Sequence, residues 1–261
     1  MSRKAPIAAA PSGRGVKDIS AERLAQLNAG EPARNLTECL AVDFAELLRA
    51  AAPGLGPRSI AALRAQAGAG ISKRMVLAAR ILLEGLGPDA FRQLRDHRSD
   101  TVRGWACFMV GAMPDLTLKQ RLGLIRPLAD DAHFGVREWA WLAVRPQLAA
   151  ELDAAVELLQ PWTAEASERL RRYASESLRP RGVWCAHIAV LKADPGRALP
   201  LLEPLRADPS AYVQDSVANW LNDASKDQPA WVRDVCARWS AGKPAEATAR
   251  ICKRALRSIG A

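Results

Sequence analysis

Asp100-Thr-Val102-Arg-Gly-Trp105-Ala decides the fold, because it returns along the chain. It is echoed by His133-Phe-Gly-Val136-Arg-Glu-Trp139-Ala, by Glu168-Arg-Leu170-Arg-Arg-Tyr173-Ala, by Ala211-Tyr-Val213-Gln-Asp-Ser216-Val and by Arg250-Ile251-Cys-Lys-Arg-Ala255. The aligned apolar positions 102, 136, 170, 213 and 251 lie 34, 34, 43 and 38 residues apart. A self-similar period in that range is the signature of stacked helical hairpins, each unable to bury its apolar face alone.

An acidic or Asp-Pro turn followed by "x-Val-Arg" is typical of HEAT-type hairpins. The expected fold is therefore all-α: a right-handed α-solenoid of HEAT-like repeats with a concave basic groove. Other stretches agree with it. Leu36-Thr-Glu-Cys-Leu-Ala-Val42-Asp-Phe-Ala-Glu-Leu-Leu48 reads as one amphipathic helix, broken after by Pro53 to Pro57, and Met75 to Leu86 as another, closed by Gly87-Pro88. β-Branched residues are sparse against Ala, Leu and Arg, and no hairpin signal is found. Residues 1–17, rich in Ala, Pro, Ser and Gly with basic residues among them, read as a disordered basic tail; they lack the apolar run of a signal peptide. Residues 18–261 read as a single repeat domain.

Composition narrows the function. The chain has 261 residues, of which 49% are hydrophobic, and a formal net charge of +9, which favours a polyanionic partner. No apolar run has the length of a membrane span. The five cysteines, Cys39, Cys107, Cys185, Cys236 and Cys252, are widely spaced and form no CxxC pair. They read as small core residues of a reducing cytosol, with no disulfide framework and no metal site. No phosphate-binding loop, dinucleotide fingerprint or HExxH motif is present. His133 and His187 have no nucleophile pattern beside them and read as capping or hydrogen-bonding residues.

In each repeat the apolar residue points into the core and the next ones line a common face. That rule collects Arg103, Arg137, Arg171, Arg172, Lys253 and Arg254 into a basic track suited to a nucleic-acid backbone. Inter-repeat ion pairing is the alternative use of the same arginines. Three acids interrupt the track, each from a different repeat: Glu138, Glu176 and Asp223. Pairing with neighbouring arginines explains any one of them; three on one groove favour a site. Eight Trp stand against four Phe and two Tyr. Most read as core, but Trp184 falls in the Pro- and Gly-containing connection Leu178-Arg179-Pro-Arg181-Gly-Val-Trp184, where an indole can meet a ligand.

The chain resembles the HEAT-like-repeat DNA glycosylases that excise alkylated bases, most closely their AlkC-type branch. The resemblance rests on Val136-Arg-Glu-Trp139, on Arg171-Arg-Tyr-Ala-Ser-Glu176 with Arg179-Pro-Arg181 and Trp184, and on Tyr212-Val-Gln-Asp-Ser-Val-Ala-Asn219-Trp-Leu-Asn222-Asp223-Ala-Ser-Lys-Asp227-Gln-Pro229. It spans roughly residues 20 to 260. It departs at Trp220, where relatives often carry His, at a position that reads as apolar-facing.

The resemblance implies hydrolysis of the N-glycosidic bond of cationic bases, of the 3-methyladenine and 3-methylcytosine type, in duplex DNA. The groove carboxylates fall on Glu138, Glu176 and Asp223, with Glu176 and Asp223 the leading catalytic candidates. Trp184 and Trp139 become lesion-contacting residues, and the arginines above, with Asn219 and Asn222, become DNA-binding. An alkylated ring nitrogen makes the base a good leaving group, so the enzyme needs negative charge near an oxocarbenium-like sugar and a held water more than an acid. No cofactor, metal or deep base-flipping pocket is implied, and no lyase step, since no Lys stands out as a Schiff-base nucleophile. A monomeric, cytoplasmic, nucleoid-associated bacterial repair enzyme is the resulting expectation. A non-catalytic HEAT-repeat nucleic-acid-binding module and a protein-binding scaffold are the alternatives.

Overall fold

The computed structural model describes residues 15–259; positions 1–14 of the expected tail lie outside them, and Val16–Asp18 form a short 3-10 turn. Sixteen α-helices follow in chain order, and no strand occurs among the described residues. They are α1 (Ala21–Asn28), α2 (Leu36–Ala41), α3 (Phe44–Ala51), α4 (Pro57–Ala65), α5 (Ile71–Leu86), α6 (Phe91–Arg95), α7 (Asp100–Ala112), α8 (Leu118–Ala129), α9 (Phe134–Ala150), α10 (Leu152–Leu159), α11 (Glu168–Glu176), α12 (Ala189–Ala193), α13 (Leu199–Leu202), α14 (Ala211–Ala224), α15 (Pro229–Trp239) and α16 (Glu246–Ala255). The result is an all-α solenoid. Helices α5, α7, α9, α11, α14 and α16 pack one on the next as one layer, backed by α6, α8, α10 and α15. None is long and apolar enough to cross a membrane.

The repeat register is visible residue by residue. Side chains of Ser99, His133, Ser167 and Ser210 accept backbone N–H groups at the starts of α7, α9, α11 and α14, which begins each helix at the same phase. Val102, Val136, Leu170, Val213 and Ile251 then enter the core, all buried. The next residue closes the turn behind it. Arg103 donates to the carbonyls of His97 and Arg98, Arg137 to those of Asp131 and Ala132, and Arg171 to those of Glu165 and Ala166. Gln214, in the same register, donates to the carbonyl of Asp208. Two of the arginines also reach forward to the following repeat, Arg103 to Asp131 and Arg171 to Asp208.

Helix α9 lies unusually close on α7. A Cβ at Gly104 would sit 2.3 Å from the Trp139 ring, and one at Gly111 would sit 2.3 Å from the Ala143 carbonyl oxygen. Glycine at these two positions, one heptad apart, lets the helices meet. One local reading needs correction: Leu36 to Leu48 is two helices, since the Asp43 side chain accepts the N–H groups of Ala45 and Glu46 and starts α3 afresh.

Candidate active site

The three carboxylates expected in one groove are joined by two arginines. Glu138 leaves the second turn of α9, Glu176 ends α11 and Asp223 lies near the end of α14. Arg172 Nη2 stands 2.8 Å from Glu138 Oε1 and 3.6 Å from Glu176 Oε2. Arg179 Nη1 stands 2.8 Å from Glu176 Oε1, and its Nη2 2.7 Å from Asp223 Oδ2. Lys226 Nζ ends the row, 3.5 Å from Asp223 Oδ1. Glu138, Arg172, Glu176, Arg179 and Asp223 thus alternate in sign across three successive layer helices. The spacing that does this is helical: Arg172, Glu176 and Arg179 are four and three residues apart, on one face of α11 and the turn after it.

Exposure separates the acids. The side chain of Glu138 is 36% exposed, those of Glu176 and Asp223 only 5% and 6%. Burial alone would push the Glu176 carboxyl up. Arg172 and Arg179, with a hydrogen bond of 2.6 Å from Ser216 Oγ, outweigh it and hold the carboxyl below the ordinary glutamate value. In return the two acids raise the Arg179 guanidinium despite its burial. Glu138 Oε2 accepts the indole N–H of Trp141 at 2.9 Å, so one oxygen is oriented from below and the other by Arg172. Tyr212 lies between two cations: Arg172 covers its ring at 4.5 Å and Arg137 at 5.4 Å, while Arg137 Nε donates to its hydroxyl.

The connection after α11 is rigidly held although irregular. Arg145, 3% exposed, donates to the carbonyls of Ser177, Arg179 and Ala186, and the Trp220 indole donates to that of Leu178. Trp220 is fully buried there. At the crest Trp184 takes a left-handed backbone, φ +61°, and stands 58% exposed beside equally exposed Val183. A bulky residue at positive φ persists only when its surroundings enforce it.

Several expected contacts are placed elsewhere. Trp139 is 6% exposed and covers Gly104 in the α7–α9 contact, so it is a packing residue and not a lesion contact. Asn222 is 3% exposed and donates to the Ala255 carbonyl and Ser258 Oγ, tying α14 to the chain end instead of reaching DNA. Arg103 and Arg171 spend their donors inside the repeat ladder, and Arg181 forks onto Asp227. Asn219 accepts from Arg257, Arg254 faces Asp215, and Lys253 is exposed. Trp141, Arg145, Tyr212 and Ser216 belong to the cluster without having been singled out. Only Trp141, three residues beyond Glu138 on a helix, carried a readable signal.

No family model matches the chain. A 117-residue stretch is 43% identical to the uncharacterized protein YhaZ of Bacillus subtilis; it covers 45% of this chain and 32% of that protein. Among solved structures, an alkylpurine DNA glycosylase AlkC of Pseudomonas fluorescens, bound to DNA containing an abasic site analog, superimposes with a TM-score of 0.68. That match is 26% identical and covers 96% of this chain and 65% of AlkC. AlkD2 of Streptococcus mutans aligns with a TM-score of 0.59 at 22% identity, over 72% of this chain and 90% of its own, and shares the fold. The chain therefore spans about a third of its curated relative and just under two thirds of AlkC. By stacked hairpins that superimpose along nearly its whole length, the chain belongs to the HEAT-like-repeat superfamily of AlkC and AlkD.

Proposed function

We propose that the chain is a monofunctional DNA glycosylase that hydrolyses the N-glycosidic bond of cationic alkylated bases in duplex DNA, as a monomer, without a cofactor, in the cytoplasm. The observation that carries this is the alternating row from Glu138 to Asp223. Three carboxylates from three repeats share two arginines on one face, and the first of them is open to solvent. The AlkC likeness, with its abasic DNA, supports duplex DNA as the partner.

The burial pattern sets the division of labour. Glu138 is the carboxylate a substrate can reach, so it stabilises the developing sugar cation and holds the attacking water. Glu176 and Asp223 act behind it by fixing Arg172 and Arg179. Trp184 presents an indole face to a cationic base. Exposed Lys253, with Arg254 beside it, faces the phosphates. The leaving base is already positive, so the neighbouring arginines do not need to donate a proton.

Release of free base from N-methylated duplex DNA, followed by chromatography, tests the reading. Wild type should release base, and Glu138→Gln should lower single-turnover release roughly 100-fold or more, the scale of a lost electrostatic stabiliser. If wild type releases no more base than Glu138→Gln, Glu176→Gln and Asp223→Asn, the glycosylase reading fails. The tight pairing of Glu176 and Asp223 favours one second reading, a DNA-binding module whose acids only pin arginines. That module would bind duplex DNA with steep salt dependence and release nothing.

A further inference from the structure

At the start of α9, the helix that also carries Glu138, lies a buried polar group that the proposed reaction does not use. Cys39 of α2, Asp100 in the first turn of α7 and His133 at the start of α9 bring a thiol, a carboxylate and an imidazole together, with one ligand atom of each within 4.8 Å of the others. Cys39 Sγ lies 3.7 Å from Asp100 Oδ2, and His133 Nδ1 lies 3.9 Å from the same oxygen.

Charge is the anomaly. Five acids are buried among the described residues: Glu38, Asp100, Glu176, Asp208 and Asp223. Four of them face an arginine, namely Arg23, the pair Arg172 and Arg179, Arg171, and Arg179 again. Asp100, 1% exposed, has no Lys or Arg within ion-pair distance among the described residues; its partners are the Ala33 N–H, the Cys39 thiol and His133. A buried carboxylate without a cation is costly. His133 does not supply the charge. Its Nε2–H donates to the Ala33 carbonyl at 2.7 Å, and the single lone pair of its Nδ1 accepts the Gly135 N–H at 3.1 Å, so no ring N–H points at Asp100 and an ion bound at Nδ1 would take the place of the Gly135 N–H.

We propose that Cys39 Sγ, Asp100 Oδ2 and His133 Nδ1 form a binding site for a divalent transition-metal ion of the zinc class. A mixed sulfur, nitrogen and oxygen set from three chain segments is the donor chemistry such ions select. Metal–ligand bonds of about 2.0 to 2.3 Å in tetrahedral array place ligand atoms roughly 3.3 to 3.6 Å apart. The observed 3.7 and 3.9 Å exceed that span by about 0.1 to 0.6 Å, and Cys39 Sγ and His133 Nδ1 lie within 4.8 Å of one another, so the three ligands must draw together to close on an ion. The Ala33 carbonyl already holds the second ring N–H of His133, the arrangement that orients a metal-bound imidazole. Burial and the adjacent Asp100 push the Cys39 thiol up, so the thiol keeps its proton until an ion arrives. On binding that proton passes to solvent, the sulfur ligates as thiolate, and affinity rises with pH. The ion would neutralise Asp100 and clamp α2 to the starts of α7 and α9.

Titration of the chelator-treated full chain with cobalt(II) tests this directly. A thiolate-to-cobalt charge-transfer absorption in the near ultraviolet should grow to saturation at one equivalent, vanish when zinc is added, and be absent from Cys39→Ser, a near-isosteric change that keeps the hydrogen bond to Asp100. Zinc should also raise the thermal midpoint of wild type and not of Asp100→Asn. Absence of the band in wild type, or its persistence in Cys39→Ser, overturns the site. Neither readout involves DNA, so the result is independent of the glycosylase reading.

Discussion

Arg179 is the residue on which the candidate active site turns. It holds Glu176 with one nitrogen and Asp223 with two others, and both acids are almost fully buried. Replacing it with Met would leave the buried Glu176 with Arg172 at 3.6 Å and the buried Asp223 with Lys226 at 3.5 Å, each stripped of its shortest ion pair. The expected loss is about 3–5 kcal/mol of unfolding free energy, measured by denaturant titration, well beyond an ordinary surface substitution. Glu176 adds a pH signature. Its folded carboxyl lies below its unfolded value, which is about 4.3. The stability it contributes is therefore complete above that value and is lost as pH falls through the folded value. The thermal midpoint of wild type should exceed that of Glu176→Gln at pH 7 and pH 5, with the gap closing below about pH 4. Trp184 behaves in the opposite way. Trp184→Ala should leave the midpoint unchanged, since the ring is exposed, while lowering base release; an unchanged rate would remove it from the site. Much at this scale was not legible in the sequence. Charge counting finds Arg103, Arg137 and Arg171, but cannot tell that each spends its donors on carbonyls five and six residues back. Nor does it separate open Glu138 from closed Glu176.

Among the elements, the α7–α9 contact is the tightest test of packing. Gly111→Ala would drive a methyl into the Ala143 carbonyl, which is backbone and cannot rotate aside. The helices must part, at an expected cost of about 1–3 kcal/mol despite the better helix propensity of Ala. A thermal midpoint equal to or above wild type would show that α9 yields freely. Element phase was the most legible part of the sequence, because Val102, Val136, Leu170, Val213 and Ile251 mark the third or later helical residue of each repeat and all are buried. The break between α2 and α3 was not, because Asp43 continues an amphipathic pattern while its side chain caps a new helix. The close approach of α9 was also hidden: a glycine in an apolar run does not announce which ring will cover it.

Across the whole molecule, the net charge of +9 still leaves an electropositive body after the ladder arginines are paired internally. Duplex DNA affinity should fall linearly in log–log plots against salt, with a slope of roughly −0.9 per phosphate neutralised. Lys253→Ala should flatten that slope by about one unit at most, and Arg171→Ala should not, because its guanidinium is committed to Asp208. An equal change of slope in both would return Arg171 to the DNA face. The Cys39, Asp100 and His133 group belongs to this scale as well. Its members are 61 and 33 residues apart in a chain with no ligand motif, and only the stacking of three repeats brings them together.

The arginine that closes its own turn and reaches for the next repeat has a mechanical side. Each hairpin is bonded mainly to itself and to its neighbour, so a pull on the two chain ends loads these links in series. Under tension the molecule should give way hairpin by hairpin, each yielding event releasing a contour of roughly 120 Å for a 34-residue unit at about 3.5 Å per residue. Arg103 and Arg171, with both faces engaged, would mark the stiffer joints, while Arg137 reaches past the adjoining repeat to the Tyr212 hydroxyl on α14 and ties three hairpins together.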